Sequence, residues 1–472
     1  AGEGMGRVNG YTLFVKDAVI GDQAEVKLVK VKKRYAFARL ETLLSASPYR
    51  VDPPCPIHRQ CGGCQIQALS YAEQLRFKEK KVQNHLIRLG GFQEAEIRQL
   101  MEPVIGMEER ESERGQRGFG YRNKAQFPVG RDKEDRLIIG FYAGRTHSII
   151  PNTDCLLGLS INAPLLKTIL SYMEQAGISA YDETTGTGLV RHILLRAGMV
   201  TGEVMVCLVI NGKKLPQDEK LVESLLQCAN DSWGSRQTNE PFYKITHISF
   251  CVNTENTNVI MGNEIHLLYG KPYIRDMLHG LSFHISPLSF YQVNPVQAEK
   301  LYAAVLAFAA LTGTETVWDL YCGIGTISLC MARNAKQVYG VEIIPQAIAD
   351  AKENAARNQI TNAEFFAGKA EEILPRYYTT HSGSSSDDLE GAMLHPDVIV
   401  VDPPRKGCDM ACLETMLKME PDRIVYVSCD SATLARDLKF LCSDAYELKR
   451  IRPCDMFCQT VHVEVVTLLS KK

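Results

Sequence analysis

Two absences narrow the function of this 472-residue chain before any motif is considered. No stretch approaches the roughly 18 uninterrupted apolar residues of a membrane-spanning helix, so we expect no membrane association. The first residues, Ala1–Gly4, contain no basic segment followed by an apolar one, so we expect no secretory signal. With 45% hydrophobic and 23% charged residues, the composition excludes wholesale disorder and fibrous proteins. These observations predict a cytoplasmic protein of several globular domains.

Net charge is also small. The 53 basic and 55 acidic residues give −2, which argues against a uniformly basic nucleic-acid-binding protein. Residues 1–100 nevertheless hold 16 basic and 10 acidic residues, a net of 16 − 10 = +6, so the other residues sum to −8. This basic N-terminal region indicates a local surface for a polyanion, unless it is only a solvated face.

Fifteen cysteines are many for a chain without an export signal, which favours metal-binding or catalytic thiols over a disulfide scaffold. Three of them form the motif Cys55-x5-Cys61-Gly-Gly-Cys64, and Cys155 is the best candidate for a fourth ligand. Four thiolates suit either an iron–sulfur cluster or zinc. Zinc sites usually pair one C-x2-C with a second or with two histidines, and the sequence has no such pair here.

Sequence periodicity predicts three domains. Residues 1–46 alternate as short strands of a small β-barrel, whose basic edge, Lys30–Arg34, suits RNA. Residues 47–285 form a β-rich central domain that contains the cysteine motif. Residues 286–472 alternate strands and helices, which is typical of a Rossmann-like parallel sheet.

Within these domains the sequence predicts particular elements. A helix is expected over Ser70–Leu89, with Leu75, Val82, Leu86 and Leu89 on its apolar face and Arg76, Lys78, Lys80 and Lys81 elsewhere. The strands expected in the last domain are Thr316–Asp319, Gln337–Glu342, Ala363–Ala367, Val398–Asp402 and Arg423–Ser428, followed by an antiparallel pair, Tyr446–Arg452 and Val461–Leu469. The polar segment 381–388 is expected to be a mobile loop.

A candidate cofactor motif follows the first of these strands. Asp319 is succeeded by Gly323-x-Gly325 at the start of a helix, where glycine allows close approach of a nucleotide. Glu342 ends the next strand, where a carboxylate can bind both ribose hydroxyls. A third glycine that would cradle a pyrophosphate is missing, so S-adenosylmethionine fits better than a dinucleotide.

Candidate reactive residues follow the later strands. Asp402 and Cys429 come directly after neighbouring strands, at the edge where open α/β sheets bind ligands. A thiolate there is useful for nucleophilic catalysis. Glu464 lies on an alternating strand, where an exposed edge glutamate is the competing interpretation.

Together these residues resemble the RNA uracil-5-methyltransferase family, in particular its 23S ribosomal RNA branch. The resemblance runs over nearly the whole chain and includes the basic β-module (similar to a TRAM domain), the cysteine motif, Tyr121–Pro128, Ser289–Pro295, Asp319–Gly325, Asp402–Gly407, Val427–Asp430 and His462–Glu464.

The resemblance implies a multidomain α/β and β fold, in which a class I S-adenosylmethionine-dependent methyltransferase domain follows an OB-like TRAM barrel and a central domain. It implies methylation of C5 of a uridine in 23S ribosomal RNA, with Cys429 as the nucleophile at C6 and Glu464 as the general base. The implied ligand sets are Gln292, Tyr321, Glu342, Asp402, Asp319, Gly323 and Gly325 for the cofactor, Asp402 and Arg405 for the uracil, and Cys55, Cys61, Cys64 and Cys155 for a [4Fe–4S] cluster. We expect a monomer whose partner is RNA.

Four alternatives stay open. Transfer RNA is the other substrate of such enzymes. An RNA cytosine-5-methyltransferase would need a cysteine after proline in the motif Asp402-Pro-Pro-Arg405. A radical S-adenosylmethionine methylthiotransferase would need C-x3-C-x2-C, and a non-catalytic RNA-binding protein would not need Cys429 and Glu464.

The sequence departs from the family pattern in three places. Lys369 stands where an aspartate that contacts adenine is common, which puts that contact in doubt. Cys458 stands where proline is usual, and we expect this to affect only a turn. The segment 381–388 resembles an insertion.

Overall fold

The computed structural model describes residues 2–144, 146–233, 243–381 and 395–472. By its internal contacts the chain divides into two compact units. The first unit contains residues 1–76, 107–274 and 457–461, and the second contains residues 77–106, 275–456 and 462–472. Among the described helices, none is both long and apolar enough to cross a membrane.

Helix α1 (Tyr71–His85) contributes residues to both units, and α2 (Glu94–Leu100) belongs to the second. The predicted helix is confirmed as far as His85, after which a single π-helical turn occupies Leu86–Gly90. This turn interrupts the 3.6-residue period, so Leu89, predicted on the apolar face, is 50% exposed. Lys78, predicted off that face, is instead fully buried, because its Nζ pairs with the carboxylate of Asp455.

The first unit begins with a four-stranded sheet in the order β1-β2-β4-β3. Its strands are β1 (Gly4–Val8), β2 (Tyr11–Lys16), β3 (Gln23–Val31) and β4 (Tyr35–Ser45). Leu13, Val15, Ala36 and Ala38 form its small core, which leaves the lysines of the edge strand β3 exposed. The sequence analysis missed β1, since its two glycines and exposed side chains give no alternating apolar pattern.

A seven-stranded sheet with two helices completes the first unit. The strand order is β11-β10-β9-β8-β5-β6-β7. The elements are β5 (Lys124–Arg131), β6 (Leu137–Tyr142), β7 (Ile149–Pro151), α3 (Asn162–Gln175), β8 (Val190–Ala197), β9 (Glu203–Ile210), α4 (Asp218–Trp233), β10 (Lys244–Val252) and β11 (Glu264–Gly270). Strands β8 and β9 are buried along their whole length, and α3 and α4 contribute to the same core.

The second unit contains a two-stranded sheet and a second seven-stranded sheet. Its elements are β12 (Ile274–Leu278), β13 (Leu281–Ile285), α5 (Pro295–Ala309), β14 (Thr316–Leu320), α6 (Thr326–Ala332), β15 (Gln337–Glu342), α7 (Pro345–Arg357), β16 (Ala363–Ala367), α8 (Ala370–His381), β17 (Val398–Val401), α9 (Met410–Met419), β18 (Arg423–Ser428), α10 (Ser431–Leu441), β19 (Tyr446–Cys454) and β20 (Glu464–Lys471).

The order of the larger sheet is β16-β15-β14-β17-β18-β20-β19. The first five strands in this order are mutually parallel, whereas β20 runs antiparallel to both β18 and β19. Because the order reverses beside β14, a crevice is expected where the carboxyl ends of β14 and β17 meet.

The strands predicted for this sheet are therefore confirmed, including the antiparallel pair at its end. Residues 382–388 of the predicted loop lie outside the described part of the chain. The division into three domains stays a prediction.

Candidate active site

Asp319 lies at the crevice beside β14 and is almost fully buried. Its Oδ2 accepts a 2.5 Å hydrogen bond from Ser328 Oγ on α6, while Oδ1 is buried with no partner among the described residues. Burial raises the pKa of this carboxyl to about 7, and the charges of Asp402 and Glu342 add to the rise against the Ser328 bond. A polar ligand bound at this turn would satisfy the buried acceptor.

The turn from β14 to α6 is held in a left-handed backbone conformation. Tyr321, Gly323 and Gly325 all have positive φ, of 82°, 55° and 83°. No atom lies within 4 Å of where a Cβ on Gly323 would stand, so the backbone borders open space there. The Tyr321 amide donates to Val341 O at 2.9 Å, which fixes the turn against β15.

Of the other two candidate cofactor residues, Glu342 lies on β15, which pairs with β14, and Gln292 precedes α5. Glu342 ends β15 and is half-exposed, with Oε1 accepting from the amide of Ile344 at 3.0 Å. Gln292 is buried in the segment before α5, where Asn294 caps the helix by accepting from the amide of Gln297. The two side chains therefore differ in solvent exposure: Glu342 is open to a ligand from solvent, whereas Gln292 is buried.

Asp402 and Arg405 follow β17 at the same edge of the sheet. Asp402 is partly exposed and Arg405 is exposed. Burial raises the pKa of the Asp402 carboxyl to about 6. Thr433 Oγ1 donates to Arg405 O at 3.2 Å, so α10 holds the segment that carries Arg405.

Cys429 and Glu464 lie at the same end of two paired antiparallel strands. Ser428, the last residue of β18, pairs with Val465, and Glu464 is the first residue of β20, so Cys429 and Glu464 each lie one residue beyond that pair. The charge of Glu464 raises the pKa of the Cys429 thiol, as expected for neighbouring side chains. Glu464 is only 4% exposed, so the competing interpretation of an exposed edge glutamate is wrong.

Burial and nearby negative charges raise the pKa values of both Glu464 and Cys429. Burial raises the pKa of Glu464 to about 8, the charge of Asp402 adds to the rise, and Arg405 opposes it. Burial raises the pKa of the Cys429 thiol to about 12, aided by Glu464 and Asp402 and opposed by Arg405. The charges of Asp402 and Arg405 therefore act on both Cys429 and Glu464.

The four candidate metal ligands lie in the first unit, and none of the fifteen cysteines forms a disulfide. Cys64 and Cys155 pack against a buried cluster that includes Tyr121 and Cys458. Burial raises the pKa of Cys64 to about 12, and the charges of Cys155, Cys61 and Cys55 contribute to this rise. Among the described residues, however, no three or more Cys, His, Asp or Glu side chains are arranged to hold a metal ion.

Thus the donors fit a thiolate-bound metal in kind, but the prediction of a metal site is not confirmed.

The structure also adds a feature that the sequence analysis missed. Cys458, expected to affect only a turn, is fully buried beside Cys64 and Cys155, with its Sγ 3.8 Å from Tyr71 Oη. The side chain of Lys369 is half-exposed, and its Nζ lies 3.7 Å from Glu372 Oε1.

Sequence reasoning also missed Ser328 and His85 as residues that contact the candidate site. Ser328 donates a hydrogen bond to Asp319. The sequence signal that could have indicated this contact is a serine in the first turn of α6, the helix that follows the glycine motif. His85 Nδ1 lies 2.8 Å from Oγ of Ser431, two residues after Cys429. No local pattern indicates that contact, since 346 residues separate the two side chains.

Comparisons with known proteins identify the family of the chain. A family model described as tRNA (uracil-5-)-methyltransferase matches residues 260–472, and a TRAM domain model matches residues 1–40. An uncharacterized RNA methyltransferase of Bacillus cereus is 44% identical over 470 residues, covering 100% of this chain and 94% of that protein. One of Halalkalibacterium halodurans is 45% identical over 471 residues, with the same coverage.

A solved structure extends the likeness to three dimensions. The Pyrococcus abyssi tRNA (uracil-54, C5)-methyltransferase in complex with S-adenosyl-L-homocysteine has a TM-score of 0.74 and 27% identity, over 99% of this chain and 97% of that chain. The predicted fold is thereby confirmed: an N-terminal TRAM domain and a class I S-adenosylmethionine-dependent methyltransferase fold. The chain belongs to the RNA uracil-5-methyltransferase family and is an RNA methyltransferase.

Proposed function

We propose that this enzyme methylates C5 of a uridine in 23S ribosomal RNA through a covalent bond between Cys429 and C6. The observation that carries the proposal is the pairing of β18 with β20: Cys429 directly follows β18, the buried Glu464 begins β20, and the charge of Glu464 raises the pKa of the Cys429 thiol. Asp402 and Arg405 follow the neighbouring strand β17, so a uracil ring beside Cys429 has polar groups within reach to orient its edge.

The two residues perform opposite halves of the reaction. The Cys429 thiol first gives its proton to solvent. As the resulting Cys429 thiolate bonds to C6, the C5=C6 electrons move toward the C4 carbonyl, and C5 becomes nucleophilic. S-adenosylmethionine, when bound, supplies a methyl group on a positively charged sulfur. C5 then carries both methyl and hydrogen. The Glu464 carboxylate takes that hydrogen as a proton, the C5–H electrons restore C5=C6, and the Cys429 thiolate leaves.

The cofactor is proposed to lie along the turn after β14. The unpartnered Asp319 Oδ1 and the open space at Gly323 support this position. The residues proposed to hold it are Gln292, Asp319, Tyr321, Gly323, Gly325, Glu342 and Asp402. The target uridine must be flipped out or already unstacked, since a stacked base does not present C6 to a thiol.

Cys429→Ala tests the covalent step. RNA that contains 5-fluorouridine traps the adduct, because fluorine at C5 is not removed as a proton. We expect a stable protein–RNA adduct with the wild type and none with C429A, measured by denaturing gel and mass spectrometry. Cys442→Ala is the control, since this half-buried cysteine follows α10 in the same unit. Persistence of the adduct in C429A would remove Cys429 from its role.

The choice of 23S ribosomal RNA depends on the four-cysteine set together with the TRAM domain. Transfer RNA is the second candidate, favoured by the substrate of the Pyrococcus abyssi enzyme and by the description of the matching family model. Mapping 5-methyluridine in both RNAs, from cells with and without the gene, decides between them. Loss confined to ribosomal RNA is expected, and loss confined to transfer RNA would overturn the choice.

We also propose that Cys55, Cys61, Cys64 and Cys155 hold a [4Fe–4S] cluster, with zinc as the alternative. Their unpaired state and mutual charge interactions support the proposal. Its role would be structural, since methyl transfer moves no electrons to or from a cluster. Anaerobically purified protein should contain iron and sulfide, and Cys64→Ser should lose both. Zinc without iron would select the alternative, and neither metal would refute the site.

The location and assembly of the enzyme are also proposals. Fifteen cysteines without a disulfide support a reducing compartment, and we propose the cytoplasm. We expect a monomer, which the mass in solution measures directly.

A further inference from the structure

Three aromatic side chains share one face of the four-stranded sheet β1-β2-β4-β3. Phe14 of β2 and Phe37 of β4 are register partners, and Tyr35 precedes Phe37 by two residues on β4. Side chains alternate between the two faces of a strand, so all three lie on the face away from the core. The core face carries Leu13, Val15, Ala36 and Ala38.

The three rings contact one another and form a small apolar surface. The ring centroids of Phe14 and Phe37 are 5.8 Å apart, and their planes differ by 33°. The Tyr35 ring stands nearly perpendicular to both, at 81° to Phe14 and 88° to Phe37, with centroids 5.7 and 5.6 Å away. Tyr35 is 37% exposed, and the two phenylalanines are half-buried. Aromatic rings that are clustered and open to solvent are typical of a binding surface.

Cations border these rings on the same face. The register places Lys30 of β3 opposite Phe37. Arg7 of β1 lies opposite Thr12, which is itself opposite Tyr35. Two residues beyond the Phe14–Phe37 pair, the register aligns three further cations across three strands, Lys16, Arg39 and Lys27. The aromatic rings therefore lie between two rows of side chains that contain positive charge.

The acidic residues of this region are fewer. Residues 3–45 contain eight basic and five acidic residues, a net of 8 − 5 = +3, and the six basic residues between Glu25 and Glu41 have no acidic residue among them. Three of the five carboxylates lie within ion-pair distance of arginines, in the pairs Arg50–Asp22, Arg59–Asp17 and Arg39–Glu41. The other two are Glu3, before β1, and the exposed Glu25. The charge of the region is therefore complementary to an anionic ligand.

The basic turn between β3 and β4 is held beside the rings by hydrogen bonds. Tyr11 Oη lies 2.5 Å from Lys32 O and 2.8 Å from Tyr35 O. The amide of Lys32 donates to Tyr35 O at 2.9 Å. These contacts fix both ends of the turn, so Lys33 and Arg34 stay close to the Tyr35 backbone. Because the turn is ordered in advance, less conformational freedom is lost when a ligand binds.

We propose that this face binds unpaired RNA nucleotides, with bases stacked on Phe14, Tyr35 and Phe37 and phosphates against the bordering cations. Unpaired bases stack on aromatic rings, whereas the bases of a duplex are already stacked on one another. Flat rings beside cations match a base and its phosphate, and the chain is an RNA methyltransferase, so the ligand is RNA rather than an acidic peptide. The inference rests on the proposed function only for RNA as the partner, and not for the chemistry at Cys429.

Stacking and charge respond differently to salt, which gives a direct test. The full chain is titrated against a fluorescein-labelled oligouridylate of about twelve nucleotides, and anisotropy measures binding at several NaCl concentrations. Tyr35→Leu should weaken binding at least about fivefold, the lower end for one stacked base, without changing the slope of log affinity against log salt. Tyr35→Phe keeps the ring and should bind like the wild type. Lys30→Ala should lower the slope by about 0.7, as for one lost phosphate contact.

Tyr49→Leu is the matched control, since Tyr49 is 38% exposed and follows β4 outside the sheet. It should leave both affinity and slope unchanged. An RNA duplex of about twelve base pairs should bind equally to the wild type and Y35L, because it presents no unpaired base. Equal single-strand affinities of the wild type and Y35L, an equal loss in Y49L, an unchanged slope in K30A, or a loss of duplex binding in Y35L would each overturn the proposal.

A measurement on the wild type alone does not depend on how the variants fold. Irradiation with an oligouridylate that contains 5-iodouridine should attach the RNA to a peptide that includes Phe14, Tyr35 or Phe37, identified by mass spectrometry. Attachment only to peptides outside residues 3–45 would contradict the proposal. If the wild type forms no 5-methyluridine but Y35L still loses affinity, the proposed function fails and the stacking surface stands.

Discussion

Replacing Glu464 by glutamine should stop the reaction after methyl transfer, with the methylated RNA still bound to Cys429. Glutamine keeps the size of the side chain but its amide does not take up a proton from C5. Since loss of that proton is what expels the thiol, the covalent adduct should accumulate. The change therefore separates the second half of the reaction from the first.

The magnitude follows from the environment of Glu464. A general base contributes about 10²–10⁴-fold, so release should slow at least about a hundredfold, or about 2.7 kcal/mol of transition-state stabilisation. Burial and the charge of Asp402 raise the pKa of Glu464 to about 8. The reactive carboxylate is then roughly a tenth of the population at about pH 7 and roughly nine-tenths at about pH 9. Wild-type release should rise about tenfold over that range, whereas Glu464→Gln should lose this rise.

A single-turnover assay measures the release of methylated RNA from Cys429 directly. Methyl-labelled S-adenosylmethionine and RNA are mixed with excess enzyme, quenched in detergent, and the labelled protein–RNA band is quantified against free labelled RNA. Glu420→Gln is the control, because this exposed carboxylate pairs with Lys471, at the opposite end of β20 from Glu464. If E464Q releases methylated RNA at the wild-type rate across the pH range, another group is the base.

Two further predictions concern stability. Lys78→Ala should lower the free energy of unfolding by about 3–5 kcal/mol, since Asp455 would stay buried without its cation; urea denaturation measures the loss. Gly340→Ala should cost about 1–3 kcal/mol in the same experiment. The added Cβ would stand 2.5 Å from Phe365 Cδ1 and 2.9 Å from Cys322 Sγ.

Each of these substitutions has a matched control. Lys80→Ala removes an exposed lysine from the same helix as Lys78, and Gly6→Ala adds a Cβ where no atom lies within 4 Å. Both controls should change the free energy of unfolding by less than about 0.5 kcal/mol. Fluorescence of the buried Trp318 reports on the unit that contains Lys78, Lys80 and Gly340, and far-ultraviolet circular dichroism follows Gly6→Ala, which lies in the other unit. Losses below about 1 kcal/mol in K78A or G340A would contradict the packing argument.

The centre of the sheet around the site was predictable because β14, β17 and β18 are buried along nearly their whole length. Such strands are short continuous apolar runs, which mark their limits closely in sequence. The bounds of Gln337–Glu342, Ala363–Ala367 and Arg423–Ser428 agree with the prediction to the residue. The positions of Asp402 and Cys429 after their strands followed from the same runs.

Contacts across long sequence separations were not predictable. Lys78 meets Asp455 across 377 residues, and Tyr121 Oη donates to Cys458 O across 337. Helical periodicity assigns a lysine to the exposed side because it contains no information about a distant carboxylate. For the same reason Cys458 was expected to affect only a turn.

The properties of Cys429 also depend on such a contact. A cysteine at a strand end predicts a useful thiolate, yet burial, Glu464 and Asp402 raise its pKa to about 12, so it is a thiol near neutral pH. Asp402 raises the pKa of both Cys429 and Glu464, and Arg405 opposes both effects. A further cation at this edge is therefore expected to favour the thiolate and the ionised carboxylate together. The proposed nucleophile and the proposed base thus respond to the same neighbouring charges, so we expect the charge of a ligand beside Asp402 to affect both halves of the proposed reaction.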